Sequence, residues 1–129
     1  MSAARFASLV IAGVIALPHP VHADAEGEYR KAAAAYEAGK HADAVRHADA
    51  GYLEKPMAKL MYVKAMATFK QGRVDEAWSL LQIIHPKDLP EPMREAFVRD
   101  YEQVEQAQKD GVTNRAKAQE AAKDCTSED

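Results

Sequence analysis

The segment AYEAGKHADAV, residues 35–45, has a close counterpart in ATFKQGRVDEAW, residues 67–78. Each segment contains an aromatic residue three positions before a glycine and an alanine five positions after that glycine. These residues are Tyr36, Gly39 and Ala44 in the first segment and Phe69, Gly72 and Ala77 in the second. Glycine takes the left-handed conformation that ends a helix at little cost, and a small alanine lets a second helix approach the first. The two segments therefore predict two helical hairpins.

The likeness between these segments belongs to a longer internal repeat, in which position 29 aligns with position 62. At this constant offset the identical pairs are Tyr29 with Tyr62, Lys31 with Lys64, Ala32 with Ala65, Ala34 with Ala67, Gly39 with Gly72, and Ala44 with Ala77. A period of this length is typical of stacked helical hairpins, in which each unit buries its apolar side against its neighbours.

Apolar spacing around the two turns predicts five helices and no sheet. Their expected ranges are 25–38, 41–54, 57–71, 74–85 and 91–109. The last range carries one apolar stripe at intervals of three or four residues, formed by Met93, Phe97, Tyr101 and Val104. Because repeat arrays normally need about three units, we expect this helix to cover the second hairpin. The predicted fold is all-α, a short α-α hairpin repeat array of two hairpins and a C-terminal capping helix.

The repeated segments resemble the middle of the tetratricopeptide repeat (TPR), and Pro56 resembles the proline that separates successive repeats in that family. The resemblance covers about residues 26–90. Each unit is about one residue shorter than the family pattern between its aromatic residue and its glycine. Ala33 and Met66 stand where the family has a glycine in the first helix. The chain is most similar to small exported, periplasmic TPR proteins of bacteria.

The resemblance also implies a binding surface. In the TPR family the first helices of successive hairpins line a concave groove, which holds an extended peptide or a partner's helix. By this resemblance the groove residues are expected to be Arg30, Ala34, Glu37, Val63, Ala67 and Lys70. The residues that maintain the repeat are expected to be Tyr29, Tyr36, Gly39, Ala44, Tyr62, Phe69, Gly72 and Ala77.

The beginning of the chain, positions 1–23, has the three-part pattern of a secretory signal peptide. Arg5 precedes an uncharged run at positions 6–17, and prolines and small residues follow as far as Ala23, where we expect cleavage. The apolar run is shorter than the roughly 20 residues that span a bilayer, so no stable membrane insertion is expected after leader removal. The remaining chain is predicted to contain a TPR-like domain at 24–110 and a flexible or weakly helical tail at 111–129. It is expected to be exported, as a periplasmic or secreted protein.

The sequence shows no pattern typical of a catalytic, metal or cofactor site, and we predict none of these. His19 and His22 have a ligand-like spacing, but they lie in the predicted leader, and His41 and His47 are six positions apart. A Ser79–His85 pair is the remaining candidate for a nucleophile with a base. The net charge of −3 and the interspersed basic residues argue against a nucleic-acid partner.

These observations favour a protein–protein interaction module or adaptor in the cell envelope, with a protein or peptide partner. One alternative is a structural, self-assembling helical repeat protein with no separate ligand, which would form homo-oligomers through the uncapped ends of the array. An enzyme is a third hypothesis, and it predicts a closed pocket that holds a perturbed ionisable group.

Overall fold

The computed structural model describes residues 24–126, and within this range it contains helices and no strand. The helices are α1 (Ala25–Glu37), α2 (His41–Glu54), α3 (Ala58–Lys70), α4 (Val74–Gln82) and α5 (Glu91–Thr126), with a short 3₁₀ helix at Pro86–Asp88 between α4 and α5. The predicted all-α class is therefore confirmed. The predicted signal peptide, positions 1–23, lies outside the described residues.

The two hairpins turn in the same way, at equivalent positions of the repeat. Gly39 and Gly72 have φ angles of 77° and 85°, in the left-handed region that favours glycine. The backbone amide of the residue after each glycine donates a hydrogen bond to the carbonyl oxygen five positions earlier. The Lys40 amide lies 2.8 Å from the Ala35 carbonyl oxygen, and the Arg73 amide lies 3.2 Å from the Thr68 carbonyl oxygen. An added Cβ at either glycine would meet no atom within 4 Å, so the backbone conformation alone requires glycine there.

Small residues lie at buried contacts between the helices. The repeated alanines Ala44 and Ala77 are fully buried. At Gly51, where α1, α2 and α3 meet, an added Cβ would lie only 3.0 Å from the Glu28 Cβ and 3.0 Å from a Leu60 methyl group. Interior packing is dense, so larger side chains at such positions would push the helices apart.

The main hydrophobic core lies between the second hairpin and α5. Phe97 and Val104 of the predicted α5 stripe are buried in it beside Leu81 and Leu89, while Met93 and Tyr101 are partly buried and pack against it. The Tyr101 ring lies 4.9 Å from the Trp78 ring. Helix α5 contacts both α3 and α4, and so it covers the second hairpin.

Two helix ends differ from the sequence prediction by more than one residue. Helix α4 ends at Gln82, not at position 85. Pro86 disfavours helical backbone at the residue before it, and the chain turns there so that Ile84 is buried.

Helix α5 is much longer than predicted, since it continues through the expected tail as far as Thr126. This segment is rich in alanine and charged residues of high helix propensity, which outweigh the cost of about 1 kcal/mol for Gly111. Lys109 pairs with Glu105 one turn earlier at 2.7 Å, and Arg115 pairs with Asp75 of α4 at 3.6 Å. Among residues 24–126, none of the helices is both long and apolar enough to cross a lipid bilayer.

Candidate partner-binding groove

Helices α1, α3 and α5 jointly line an open cavity of about 310 Å³. Since α1 and α3 are the first helices of the two hairpins, we name this cavity the first-helix groove. Its lining includes Tyr29, Ala33 and Tyr36 of α1, Tyr62 and Met66 of α3, and Met93 of α5. The three tyrosines and Met93 are only partly buried. The lining is therefore mainly aromatic and aliphatic, and much of it faces solvent.

One end of the first-helix groove is occupied by contacts within the protein. The Tyr29 hydroxyl donates to the Met93 sulfur at 3.9 Å, which links α1 to α5 across the groove. The Lys59 ammonium lies 4.5 Å from the centre of the Tyr29 ring and pairs with both oxygens of Glu26, at 2.7 and 2.8 Å. Burial raises the pKa of Tyr29, although the positive charge of Lys59 opposes the rise. Because Lys59 is bonded to Glu26, the positive charge at this end of the groove already has a partner within the protein.

The opposite end of the groove carries two carboxylates. The Tyr62 hydroxyl donates a hydrogen bond to Asp100 of α5. Burial raises the pKa of Tyr62 well above its ordinary value, and the hydrogen bond to Asp100 raises it further. The pKa of Tyr36 is also raised, first by burial and then by the negative charges of Asp100 and Glu37. Both carboxylates therefore act on the same part of the groove.

The raised pKa of Tyr62 predicts a loss of stability at alkaline pH. The folded state favours the protonated phenol, so this contribution is complete below pH 10.0, the ordinary pKa, and is lost as pH rises through the higher folded value. We expect the unfolding free energy to fall less steeply above about pH 10 in Tyr62→Phe than in the parent.

Urea unfolding followed by circular dichroism at several pH values measures this slope. Tyr52→Phe, at an exposed tyrosine outside the first-helix groove, should keep the slope of the parent. Equal slopes in the parent and Tyr62→Phe would contradict the prediction.

Two of the six groove residues expected from the sequence, Glu37 and Val63, line the first-helix groove. Arg30, Ala34 and Lys70 are exposed but are not among the lining residues. Ala67 is fully buried, so its side chain does not face the groove.

Three residues expected to maintain the repeat, Tyr29, Tyr36 and Tyr62, line the groove, and Tyr36 and Tyr62 also pack against the core. Ala44 and Ala77 are buried, while Phe69 is partly buried and packs against the core. Ala33 and Met66 line the groove but were not among the six residues expected from the sequence. They occupy the position at which the TPR pattern has a glycine in the first helix. Their helical spacing from the tyrosines was the signal that could have found them.

Two of the polar residues considered for chemistry, Ser79 and His47, have other partners. The Ser79 hydroxyl donates to the Asp75 carbonyl oxygen of its own helix at 3.0 Å. The His47 Nδ1 lies 2.7 Å from the Glu28 carboxylate and joins α2 to α1. Cys125 is an exposed free thiol. Among residues 24–126, histidine, cysteine and acidic side chains form no group of three with the geometry of a metal site.

Comparisons with models of protein families, with curated proteins and with solved structures find no match to this chain.

Proposed function

We propose that the protein is a TPR-like adaptor of the cell envelope, which holds an extended peptide or a helix of a partner protein in its first-helix groove. The observation that carries this proposal is the groove lining. Side chains from three different helices present tyrosine rings and Met93 to one open cavity, where these side chains are only partly buried.

Such a lining suits protein binding for physical reasons. Aromatic residues and methionine are enriched at protein interfaces, where they supply large contact areas, and tyrosine can also form hydrogen bonds at the rim. Methionine is unbranched and adapts to differently shaped partners. Because the walls are three packed helices, the groove is preorganised, and a partner would lose little free energy in ordering it.

Two further observations support the adaptor proposal. The equivalent turns at Gly39 and Gly72 agree with the TPR resemblance. The pattern of positions 1–23 supports export, which would place the adaptor in the periplasm or outside the cell.

A self-assembling structural protein is the second candidate, because the chain exposes other apolar residues. Leu53 is 88% exposed and Ile83 is 62% exposed. Tyr52 and Ile83 also line a separate cavity of about 550 Å³ near the ends of α2 and α4. Burial of this surface between copies would favour oligomers, which light scattering over a range of protein concentrations would detect.

A matched pair of variants tests the adaptor proposal. Ala33 lines the first-helix groove, whereas its neighbour Ala34 is exposed and does not. We expect Ala33→Trp to fill the cavity and abolish capture of the partner from an envelope extract, while Ala34→Trp captures as much as the parent.

The full chain, tagged at its C-terminus, is used for capture, and circular dichroism checks that both variants are folded. If both variants keep the same partner, the groove is not its binding site. If the parent captures only copies of itself, the self-assembly candidate is favoured. Loss of capture in Ala34→Trp alone would instead support the groove positions expected from the TPR resemblance.

A further inference from the structure

The tyrosine rings of the first-helix groove are suited to binding a positive charge. The face of an aromatic ring attracts cations through its quadrupole, and the attraction increases where water is excluded. The protein already uses this interaction once, since the Lys59 ammonium lies 4.5 Å from the centre of the Tyr29 ring. That lysine is bound to Glu26, so one end of the groove contains a cation with its carboxylate partner.

The other end has the rings and the carboxylates, but within the described part of the chain it has no cation. Tyr36, Tyr62, Glu37 and Asp100 all line the cavity there. Lys59 is the only basic residue among the described residues that line the groove. The positive charge of the nearby Arg99 lowers the pKa of Tyr62, but this effect is smaller than those of burial and Asp100. The Arg99 side chain is exposed and does not line the cavity.

The carboxylates at this end form no ion pair with any residue in the range 24–126. Asp100 accepts a hydrogen bond from the neutral Tyr62 hydroxyl, which leaves its charge in place. Both Asp100 and Glu37 act electrostatically on Tyr36. A carboxylate pair beside aromatic faces therefore gives this end of the groove a negative potential.

The size of the site limits its occupant. A cavity of about 310 Å³ is at the lower end of the range of ligand pockets, about 300–1,000 Å³. It has space for one long side chain and a neighbouring residue of a partner segment. Arginine fits this chemistry best, because its planar guanidinium can stack on a ring and donate to carboxylates at the same time.

We propose that the end of the first-helix groove formed by Tyr36, Tyr62, Glu37 and Asp100 receives an arginine side chain of an extended partner segment. This inference rests on the adaptor function and adds the chemistry of the partner. The segment is held by charge complementarity and by stacking, and acidic segments are repelled.

Three fluorescein-labelled peptides that differ only in their central residue test this proposal. The central residue is arginine, citrulline or glutamate, with leucine on both sides. Citrulline preserves the shape of arginine without its charge. We expect fluorescence polarisation to show that the full-length protein binds the arginine peptide about tenfold more tightly than the citrulline peptide, a difference of about 1.4 kcal/mol. Binding of the glutamate peptide should be weaker still.

The preference for arginine should disappear in the double variant Glu37→Gln with Asp100→Asn. The asparagine oxygen can still accept the Tyr62 hydrogen bond, so this variant changes charge more than structure. Glu54→Gln removes an exposed carboxylate at the end of α2, outside the groove, and should keep the full preference.

Three results would overturn the proposal. The first is equal binding of all three peptides. The second is an arginine preference that survives the double variant, and the third is no binding of any peptide. Equal binding that Ala33→Trp abolishes would reject the arginine site while leaving the adaptor function intact. The adaptor function itself is tested separately by the capture experiment. It fails if Ala33→Trp captures as much partner as the parent.

Discussion

Replacement of Phe97 by alanine is expected to lower the free energy of unfolding by about 3–5 kcal/mol. Phe97 is 3% exposed and lies in the core between α5 and the second hairpin. Its ring meets the Tyr62 ring edge-on at 5.4 Å and lies 5.9 Å from the Tyr101 ring. The variant therefore loses transfer free energy, leaves a cavity and removes two aromatic contacts.

Urea unfolding measures the loss of unfolding free energy in Phe97→Ala, and Val98→Ala, at the next position of α5, is the control. Val98 is 49% exposed, so its replacement should change the unfolding free energy by less than about 0.5 kcal/mol. The prediction fails if the two variants unfold at the same urea concentration. Because Tyr62 packs on Phe97, the variant should also weaken partner binding in the first-helix groove.

The second large effect is expected at Leu60, where alanine should lower the unfolding free energy by about 2–5 kcal/mol. Leu60 is fully buried, and its methyl groups lie at the closely packed junction around Gly51. This junction joins α3 to the first hairpin, and the variant should loosen the contact between the two hairpins.

Leu53→Ala is a control with the same chemical change, since Leu53 is 88% exposed. We expect it to alter stability by no more than about 0.5 kcal/mol. Similar losses in the two leucine variants would mean that the hairpins do not pack through Leu60. A partial unfolding step in Leu60→Ala, absent from the parent, would identify the hairpin junction as the least stable contact.

The turns and the core stripe were predictable because they depend on local rules. A glycine in the left-handed conformation ends a helix wherever it occurs, and both Gly39 and Gly72 do so. Likewise, the spacing of Phe97 and Val104 places both on one face of a helix, and both are buried.

The lining of the groove depends on the rotation of each helix about its axis, which residue spacing within one helix does not specify. The TPR resemblance indicated Ala34 and Ala67, whereas Ala33 and Met66 line the cavity. A shift of one residue rotates a helical position by about 100°, which is enough to move a side chain from a groove to another face. The shorter spacing between the aromatic residue and the glycine in this chain is consistent with such a shift.

The tertiary structure also gives different degrees of burial to residues at equivalent positions of the repeat. Ala34 and Ala67 are identical residues at matching positions of the repeat, yet Ala34 is exposed and Ala67 is fully buried. Helix α3 has neighbours on both sides, since it packs against both helices of the first hairpin and against α4 and α5. Helix α1 begins the described part of the chain and packs mainly against α2 and α3.

The sequence by itself therefore determined the helical class, the two turns and the apolar stripe of α5, because these follow from backbone conformation and residue spacing within one element. Only the tertiary structure decided which side chains meet in the first-helix groove. Tyr36, Tyr62 and Asp100 belong to three different helices, and they come together through the packing of α1, α3 and α5. Contacts of this kind depend on the relative rotation and spacing of whole helices, which no short sequence pattern specifies.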